Sequence, residues 1–297
     1  MFSKKSLWVE ILRQDGYFYE EKNTLSFKDL PIEVKIDITE LMSGFSAIVK
    51  IYGVSKEHLD MITTLQWYKR LDNETSAFID KKFIRIFVND GMGEYVLFEG
   101  DIMSAKPVYE TAPDVHIEIE AVAGAFFNMI SEIPPSQLVG KVPAPKFYEK
   151  ICSQYGVQCI IHGEEKDYGQ CIDPRQEEVG LKPRIDAATK AYGGYALVFN
   201  NRVEIFPSVP KDGENYIKIF TFTPENYIGY PSFIQGGIKI RTDELVNIML
   251  RDIFKIKNSQ VTPANDAWRC FKISYNLSTK IGGKWFMEIV GSRTTDE

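Results

Sequence analysis

The sequence has little histidine, little cysteine and no long apolar run. Its 297 residues include three histidines and four cysteines, a sparse supply of the nitrogen and sulfur ligands that zinc sites use. No segment approaches the ~20 apolar residues that a membrane-spanning helix needs. The opening stretch contains Glu10 and Arg13 and has no small-residue cleavage site, so we reject a signal peptide and predict a strand over Leu7–Arg13.

Clusters of positive charge are lacking as well. The chain carries 35 basic and 41 acidic residues, a net charge of −6, and no basic run is longer than a dipeptide. Surfaces that track phosphates usually show clustered lysine and arginine. The sequence therefore predicts no surface that grips nucleic acid, although a mildly acidic protein is compatible with a conduit through which DNA slides.

The motifs of common enzyme classes are also missing. No G-x-S-x-G elbow, phosphate-binding loop, H-E-x-x-H helix or dinucleotide fingerprint occurs. His116, Glu118 and Glu120 share one face of a predicted strand, and such a row can bind a cation or serve acid–base chemistry. Strand alternation alone explains the row, so we interpret it as a solvated face. We predict that the protein is not an enzyme and needs no cofactor.

Acidic pairs leave open an alternative, which is glycoside hydrolysis by two carboxylates. The candidates are Asp37 with Glu40, and the run Glu164-Glu165-Lys166-Asp167. Charge runs are usually solvated loop surface. We therefore keep a cell-wall hydrolase, acting through the middle of the chain, as the alternative function only.

The cysteines allow a zinc hypothesis. Their spacing with one histidine is C-x6-C-x2-H-x8-C, formed by Cys152, Cys159, His162 and Cys171. This spacing lacks the C-x2-4-C pair of structural zinc sites. We predict no metal, and we expect these thiols and Cys270 to stay reduced in a protein assembled in the cytoplasm.

Strand patterns dominate the first 125 residues. Ser55 is a suitable N-cap for one helix that we predict to run to about Arg70. The turn Asn89-Asp90-Gly91-Met92-Gly93 predicts a hairpin. Alternation and β-branched residues predict further strands over Ile32–Ile38, Ala47–Tyr52, Phe83–Val88, Tyr95–Glu99, Asp101–Lys106 and Val115–Val122.

The middle of the chain has a different pattern. Ile133-Pro134-Pro135 and Val142-Pro143-Ala144-Pro145 are typical of linkers. After them the sequence predicts helices and strands in the order of a small α+β module. The predicted elements are a helix over Lys146–Tyr155, a strand over Val157–Ile161, a helix over Leu181–Tyr192 and a hairpin of Tyr195–Phe199 with Arg202–Phe206.

The last part of the chain returns to strands and carries the most informative motifs. From Thr223 it reads TPENYIGYPSFIQGGIKIRTDEL, and from Cys270 it reads CFKISYNLSTKIGGKWFMEIVGS. We predict strands over Phe271–Ser274 and over Lys284–Val290, with the second strand ending at Gly291.

These pieces resemble the baseplate hub proteins of contractile phage tails, the late-control group. That group shares the glycine–tyrosine–proline turn, the glycine-led strand and the final hairpin with GG and tryptophan. The segments IVKIYGVSKEHLDMI, GDIMSAKPVYETAPDVHIEIEAVAG and YALVFNNRVEIFP are similar to the family's earlier elements and occur in the same order.

The resemblance implies a mainly β, α+β protein with two tail-tube-like antiparallel β-barrel domains, over 1–125 and 216–297, flanking an α+β insertion over 126–215. It further implies a structural virion protein. The expected form is a homotrimer that joins the six-fold tail tube protein to the three-fold central spike protein. Other baseplate proteins would be neighbours, and DNA would pass only as cargo.

Aromatic residues near the end of the chain are the candidates for an interface. Nucleic-acid stacking platforms need interleaved basic residues, and only Arg269 and Lys284 lie beside them. Aromatics in strands are more often core or subunit interface. We therefore predict interface roles for Trp268, Phe271, Trp285 and Phe286.

Overall fold

The computed structural model describes residues 5–13, 17–18, 22–39, 44–63, 68–71, 75–78, 81–91, 93–110, 114–125, 141–171, 180–199, 202–207 and 217–294. These residues form two compact units. The first unit combines residues 1–122 with residues 218–297, and the second unit covers residues 123–217.

Where the structure describes it, the first unit is built from strands and one short α-helix. Its helix α1 is Lys56–Ile62. The strands of its N-terminal part are β1 Ser6–Arg13, β2 Thr24–Phe27, β3 Ile32–Thr39, β4 Phe45–Tyr52, β5 Tyr68–Leu71, β6 Thr75–Phe78, β7 Lys82–Asn89, β8 Glu94–Val108 and β9 His116–Val122. Those of its C-terminal part are β15 Ile219–Phe222, β16 Ser232–Ile234, β17 Gly237–Thr242, β18 Ile253–Ile256, β19 Ala267–Ser278 and β20 Trp285–Arg293.

One 13-stranded sheet contains most of these strands. Its order is β16-β17-β20-β19-β3-β4-β9-β8-β7-β1-β2, and β18 joins it by pairing with β19 and β15. Every pair is antiparallel except β15 with β18. The mainly β fold class with a large antiparallel sheet is therefore confirmed. The division into two terminal barrel domains stays a prediction, and strands from both termini pair directly where β3 meets β19.

The core of the first unit lies on one face of this sheet. In its central strands alternate residues are apolar and buried, as Phe45, Ala47, Val49 and Ile51 are in β4. Because side chains alternate between faces along a strand, the remaining residues point to the opposite face. The core includes Ile36, Val49, Ile119, Ile273 and Ile289, all at most 1% exposed.

Helix α1 is shorter than predicted. The Ser55 hydroxyl caps it by accepting a hydrogen bond from the backbone N–H of His58, as expected. The helix ends at Ile62, where the hydroxyl of the β-branched residue Thr63 donates to the Leu59 carbonyl at 2.6 Å. The extension to Arg70 is wrong, because β5 begins at Tyr68 and pairs with β6.

Strand β8 is longer than predicted. The sequence predicts two strands, Tyr95–Glu99 and Asp101–Lys106, on either side of Gly100, yet a single strand runs from Glu94 to Val108. A Cβ at this glycine would lie 2.6 Å from the Phe98 ring and 3.1 Å from the backbone of Val122. The glycine therefore marks a close approach inside a strand rather than its end. The strand pairs with β7 through its first half and with β9 through its second half.

The second unit has its own core. Within its described residues the helices are α2 Ala144–Gln154 and α3 Leu181–Tyr192, and the strands are β10 Val142–Pro143, β11 Gln158–Ile161, β12 Gln170–Cys171, β13 Tyr195–Val198 and β14 Arg202–Phe206. Strand β14 pairs in parallel with β11 and antiparallel with β13. Helix α3 has the predicted bounds. The linker prediction is wrong over residues 142–145, because Pro145 lies in the first turn of α2, where its missing N–H costs nothing.

Candidate functional site

One polar face of the large sheet carries an ordered array of charges. The side chains come from β17, β20, β19, β3, β4, β9 and β8, which are consecutive neighbours in the sheet. Residues directly opposite in the register share a face. One row runs Arg241, Glu288, Ser274, Asp37, Ser46, and another runs Ser278, Glu33, Lys50, Glu118, Lys106.

At three points of this face a carboxylate lies between two basic side chains. Asp37 is 3.1 Å from Lys35 Nζ and 3.3 Å from Lys272 Nζ. Its Oδ1 also accepts a hydrogen bond of 2.6 Å from the hydroxyl of Ser274, a buried residue. Burial alone would raise the pKa of Asp37, but the Ser274 hydrogen bond and the two lysines outweigh it and hold the pKa below its ordinary value.

The second carboxylate of this kind is Glu118. Lys50 Nζ lies 3.5 Å from its Oε2, and Lys106 Nζ lies 3.4 Å from its Oε1. The lysines come from the strands on either side of β9, so the ion pairs tie three neighbouring strands together.

The third is Glu288. It pairs with Arg241 at 2.7 Å and with Lys239 at 3.6 Å. Burial would raise the pKa of Glu288, but the hydrogen bond from Arg241 and the charges of both cations hold it below its ordinary value. The Arg241 guanidinium also stacks 4.2 Å from the centroid of the Phe286 ring, which fixes the orientation of the cation.

The basic groups extend outward from this array while the carboxylates lie deeper. The side chains of Asp37, Glu118 and Glu288 are 24%, 21% and 19% exposed. The six cations paired with them are 37% to 55% exposed. Solvent and any ligand on this side therefore meet the cations first.

A groove of about 570 Å³ lies on the same face. It runs between the sheet and the loop that joins β19 to β20, and Lys280 and Lys284 extend into it from that loop. Lys280 Nζ is 3.2 Å from Glu33 and 3.3 Å from the centroid of the Tyr52 ring. Burial would lower the pKa of Lys280, but the contacts with Tyr52 and Glu33 raise it.

We call this surface the cationic face. Its charged members are eight basic residues and six carboxylates, so it carries a net positive charge within a chain of net charge −6. They are Lys35, Lys50, Lys106, Lys239, Arg241, Lys272, Lys280 and Lys284, with Glu33, Asp37, Asp101, Glu118, Glu120 and Glu288.

Sequence inspection missed this face. The search for basic clusters considered runs along the chain, and here the cations are isolated residues on separate strands. The available signal was the i, i+2 spacing of charges within predicted strands, as in Lys35 and Asp37 or Lys239 and Arg241. The order in which the strands pair, which brings the charges together, is not visible in that spacing.

The four predicted interface aromatics lie in β19 and β20 but in different surroundings. Trp268 is buried at 4% exposure, and its Nε1 donates to the Ala264 carbonyl at 3.0 Å. Phe271, Trp285 and Phe286 are half-buried. Phe286 belongs to the cationic face through Arg241. Their interface role stays a prediction.

The His116 row is not the uniformly solvated face that we predicted. His116 is buried at 5% exposure, while Glu120 is exposed and Glu118 lies between these extremes. The imidazole packs 4.9 Å from the Tyr52 ring, and its Nδ1 lies 3.1 Å from the Asp114 carbonyl. Tyr52 provides apolar cover that strand periodicity did not predict.

The described side chains among the hypothetical zinc ligands make other contacts. His162 Nε2 lies 3.3 Å from Glu204, which also accepts from Arg202 Nε at 2.7 Å. Burial and a hydrogen bond with Cys159 raise the pKa of the Cys152 thiol, with the bond the larger effect. The side chain of Cys171 lies outside the described residues. In the described part of the chain, no group of three or more histidine, cysteine or acidic side chains is placed to hold a metal ion.

The carboxylates considered for hydrolysis are likewise dispersed. Asp37 belongs to the cationic face, and Glu40 lies outside the described residues. Glu164 and Glu165 are exposed on a single 3-10 turn, where Lys166 pairs with Glu164. The solvated interpretation of that charge run is confirmed.

The fold is that of bacteriophage tail proteins. The 43 kDa tail protein of prophage MuSo2 from Shewanella oneidensis matches with a TM-score of 0.59 and 8% identity, over 98% of this chain and 97% of that one. The tail protein from Neisseria meningitidis MC58 matches with a TM-score of 0.59 and 7% identity, over 97% of each chain. The predicted resemblance to tail proteins is confirmed at the level of the fold.

A third similar structure comes from a secretion machine. It is an E. coli component of the type VI secretion system, described as structurally similar to the T4 bacteriophage tail proteins gp27 and gp5. The TM-score is 0.57 at 9% identity, over 96% of this chain and 77% of that chain. The sequence itself matches no family model and no curated protein. Within the described residues, no helix is long and apolar enough to cross a membrane.

Proposed function

We propose that this chain is the structural hub of the baseplate in a contractile phage tail or a related injection machine. The observation that carries the proposal is the fold, which extends over 97% or more of this chain and of two tail proteins. Agreement over whole chains supports a shared architectural role better than a single shared domain would. Fold alone does not determine function, so the order of the C-terminal motifs is the second support.

The proposed working unit is a homotrimer that joins a six-fold tail tube protein to a three-fold spike protein. A chain with two similar halves presents six such halves when three copies form a ring. The large sheet is consistent with this, because seven of its strands come from residues 1–122 and six from residues 218–297. Other baseplate proteins would surround the ring, and DNA would pass through it.

A reconstruction of the assembled tail tip tests this function. We expect three copies of the chain in one ring, between the tube and the spike. Six copies in the ring, or a position outside the baseplate, would contradict the proposal. Clearing of a cell-wall suspension by the purified protein would contradict its non-enzymatic part.

A further inference from the structure

We propose that the cationic face is the surface with which this chain contacts the phosphate backbone of duplex DNA. The inference rests on the proposed function, which brings DNA past the hub, but its evidence is the chemistry of the face. Six cations converge on three carboxylates there, at distances of 2.7 to 3.6 Å. The array therefore holds its basic groups at fixed positions.

The residue types favour phosphate over a protein partner. Seven of the eight basic residues on the face are lysines, and lysine is depleted in protein–protein interfaces. Lysine binds phosphate as a compact point charge, without the fixed fork geometry of arginine. A lysine-rich surface predicts sequence-independent contact with a polyanion.

The geometry favours a duplex over a single strand. The face extends across seven neighbouring strands from β17 to β8, and six steps of ~4.8 Å give a width of about 29 Å. Single-strand binders offer exposed aromatic rings on which bases stack. Two aromatic rings of this face are each covered by a cation, Phe286 by the Arg241 guanidinium and Tyr52 by Lys280 Nζ. Among the described residues the face therefore offers charge rather than a stacking platform.

The carboxylates set the strength of this contact. Each lies deeper than its two cations, so a phosphate can approach a lysine without displacing the carboxylate from its place. The carboxylates also cancel part of the positive charge, which weakens the attraction at every point along the DNA. A face of this kind attracts DNA and still lets it slide, since non-specific phosphate binding is weak and has no preferred register.

The test measures binding of the full-length protein to a fluorescent 30-base-pair duplex as the salt concentration is varied. If three to eight cations of the protein displace counterions from the DNA, the logarithm of the association constant should fall linearly with the logarithm of the salt concentration, with a slope of about −3 to −7. We expect K35E/K50E/K106E/K272E to lose at least tenfold in affinity at the lowest salt. The charge-matched control K146E/K190E/K255E/K257E, whose four lysines are exposed outside this face, should lose markedly less.

A second variant makes the cationic face more positive instead of more negative. D37N/E118Q/E288Q removes the three inner carboxylates, so it should bind the duplex more tightly than the natural protein. A merely structural role for the ion pairs predicts no such gain. Thermal melts of each variant would establish that it is folded before its binding is compared.

Several results would overturn the proposal. These are salt-independent or undetectable binding by the natural protein, equal losses in both lysine variants, or no gain in the carboxylate variant. Competition by poly-glutamate as strong as that by unlabelled duplex would assign the face to acidic proteins instead. Three hub copies in the tail-tip reconstruction, together with a face that ignores DNA, would leave the proposed function standing and this inference refuted.

Discussion

Replacing Gly291 with alanine would place a methyl group where the Phe254 ring already lies. The sequence predicted that β20 ends at this glycine, but the strand continues to Arg293. A Cβ at Gly291 would be 2.5 and 2.7 Å from two carbons of the Phe254 ring and 3.0 Å from the Arg269 carbonyl oxygen. Carbon atoms in contact normally lie about 3.5 to 4.0 Å apart, so the ring would have to move by roughly 1 Å.

The ring has little room to move. Phe254 is fully buried, and its edge packs against the Phe222 ring with centroids 6.1 Å apart. Overpacking of this kind costs about 1 to 3 kcal/mol. For a domain of this size each kcal/mol lowers Tm by about 2 to 4 °C, so we expect Gly291→Ala to lower Tm by about 2 to 12 °C.

Urea unfolding of a double-mutant cycle provides the decisive measurement. If the clash with the ring causes the loss, Gly291→Ala should cost much less when Phe254 is already leucine, and the two changes should be non-additive. The neighbouring change Ser292→Ala, at a half-buried position, is the control and should be nearly neutral. An equal cost in both backgrounds would refute the packing argument.

Three further predictions concern other parts of the molecule. Asp37→Asn should destabilise the protein by about 1 kcal/mol at neutral pH. Because the folded pKa of Asp37 lies below its unfolded value, the difference in unfolding free energy between the variant and the natural protein should shrink as pH falls below about 4. A pH-independent difference in urea unfolding would contradict this. Trp268→Ala should lower the free energy of unfolding by about 3 to 5 kcal/mol, because the indole is buried and donates a hydrogen bond to the Ala264 carbonyl. Phe286→Ala, at a half-buried position, should lower it clearly less. Equal losses of Tm in thermal melts would contradict this difference. Limited proteolysis should cut first near residues 134–141 or 207–213, toward the two ends of the second unit, because domain boundaries fall where few contacts cross. First cuts within Phe83–Val122, identified by mass spectrometry, would contradict this.

Local elements were largely predictable from the sequence because local chemistry determines them. Helix α3 has the predicted bounds, since an apolar stripe and a following Gly193 mark it clearly. The errors at Gly100 and Gly291 have one cause. In both strands the glycine accommodates an aromatic ring, and a glycine that makes room for a ring cannot be distinguished by sequence from one that ends a strand.

The cationic face was not predictable for a different reason. Lys35 and Lys272 meet at Asp37 only because β3 pairs with β19. Such pairing depends on the competition between all strands of the sheet, and no short window of sequence contains it. The isolated charges consequently looked like ordinary solvent-facing residues of separate strands.

The pairing of β3 with β19 also determines when the sheet can be completed during synthesis. Asp37 and Ser274, which bond across this pair, are 237 residues apart. At the usual ribosomal rates of about 5 to 20 residues per second, β19 follows β3 by roughly 10 to 50 seconds. Until then the edge of β3 is open to strands of other chains. The side chains of Glu33, Lys35 and Asp37 are charged and point outward from β3, and charges of this kind on an open edge strand disfavour edge-to-edge aggregation. Residues of the charged array therefore also protect the nascent chain before β19 has been synthesised.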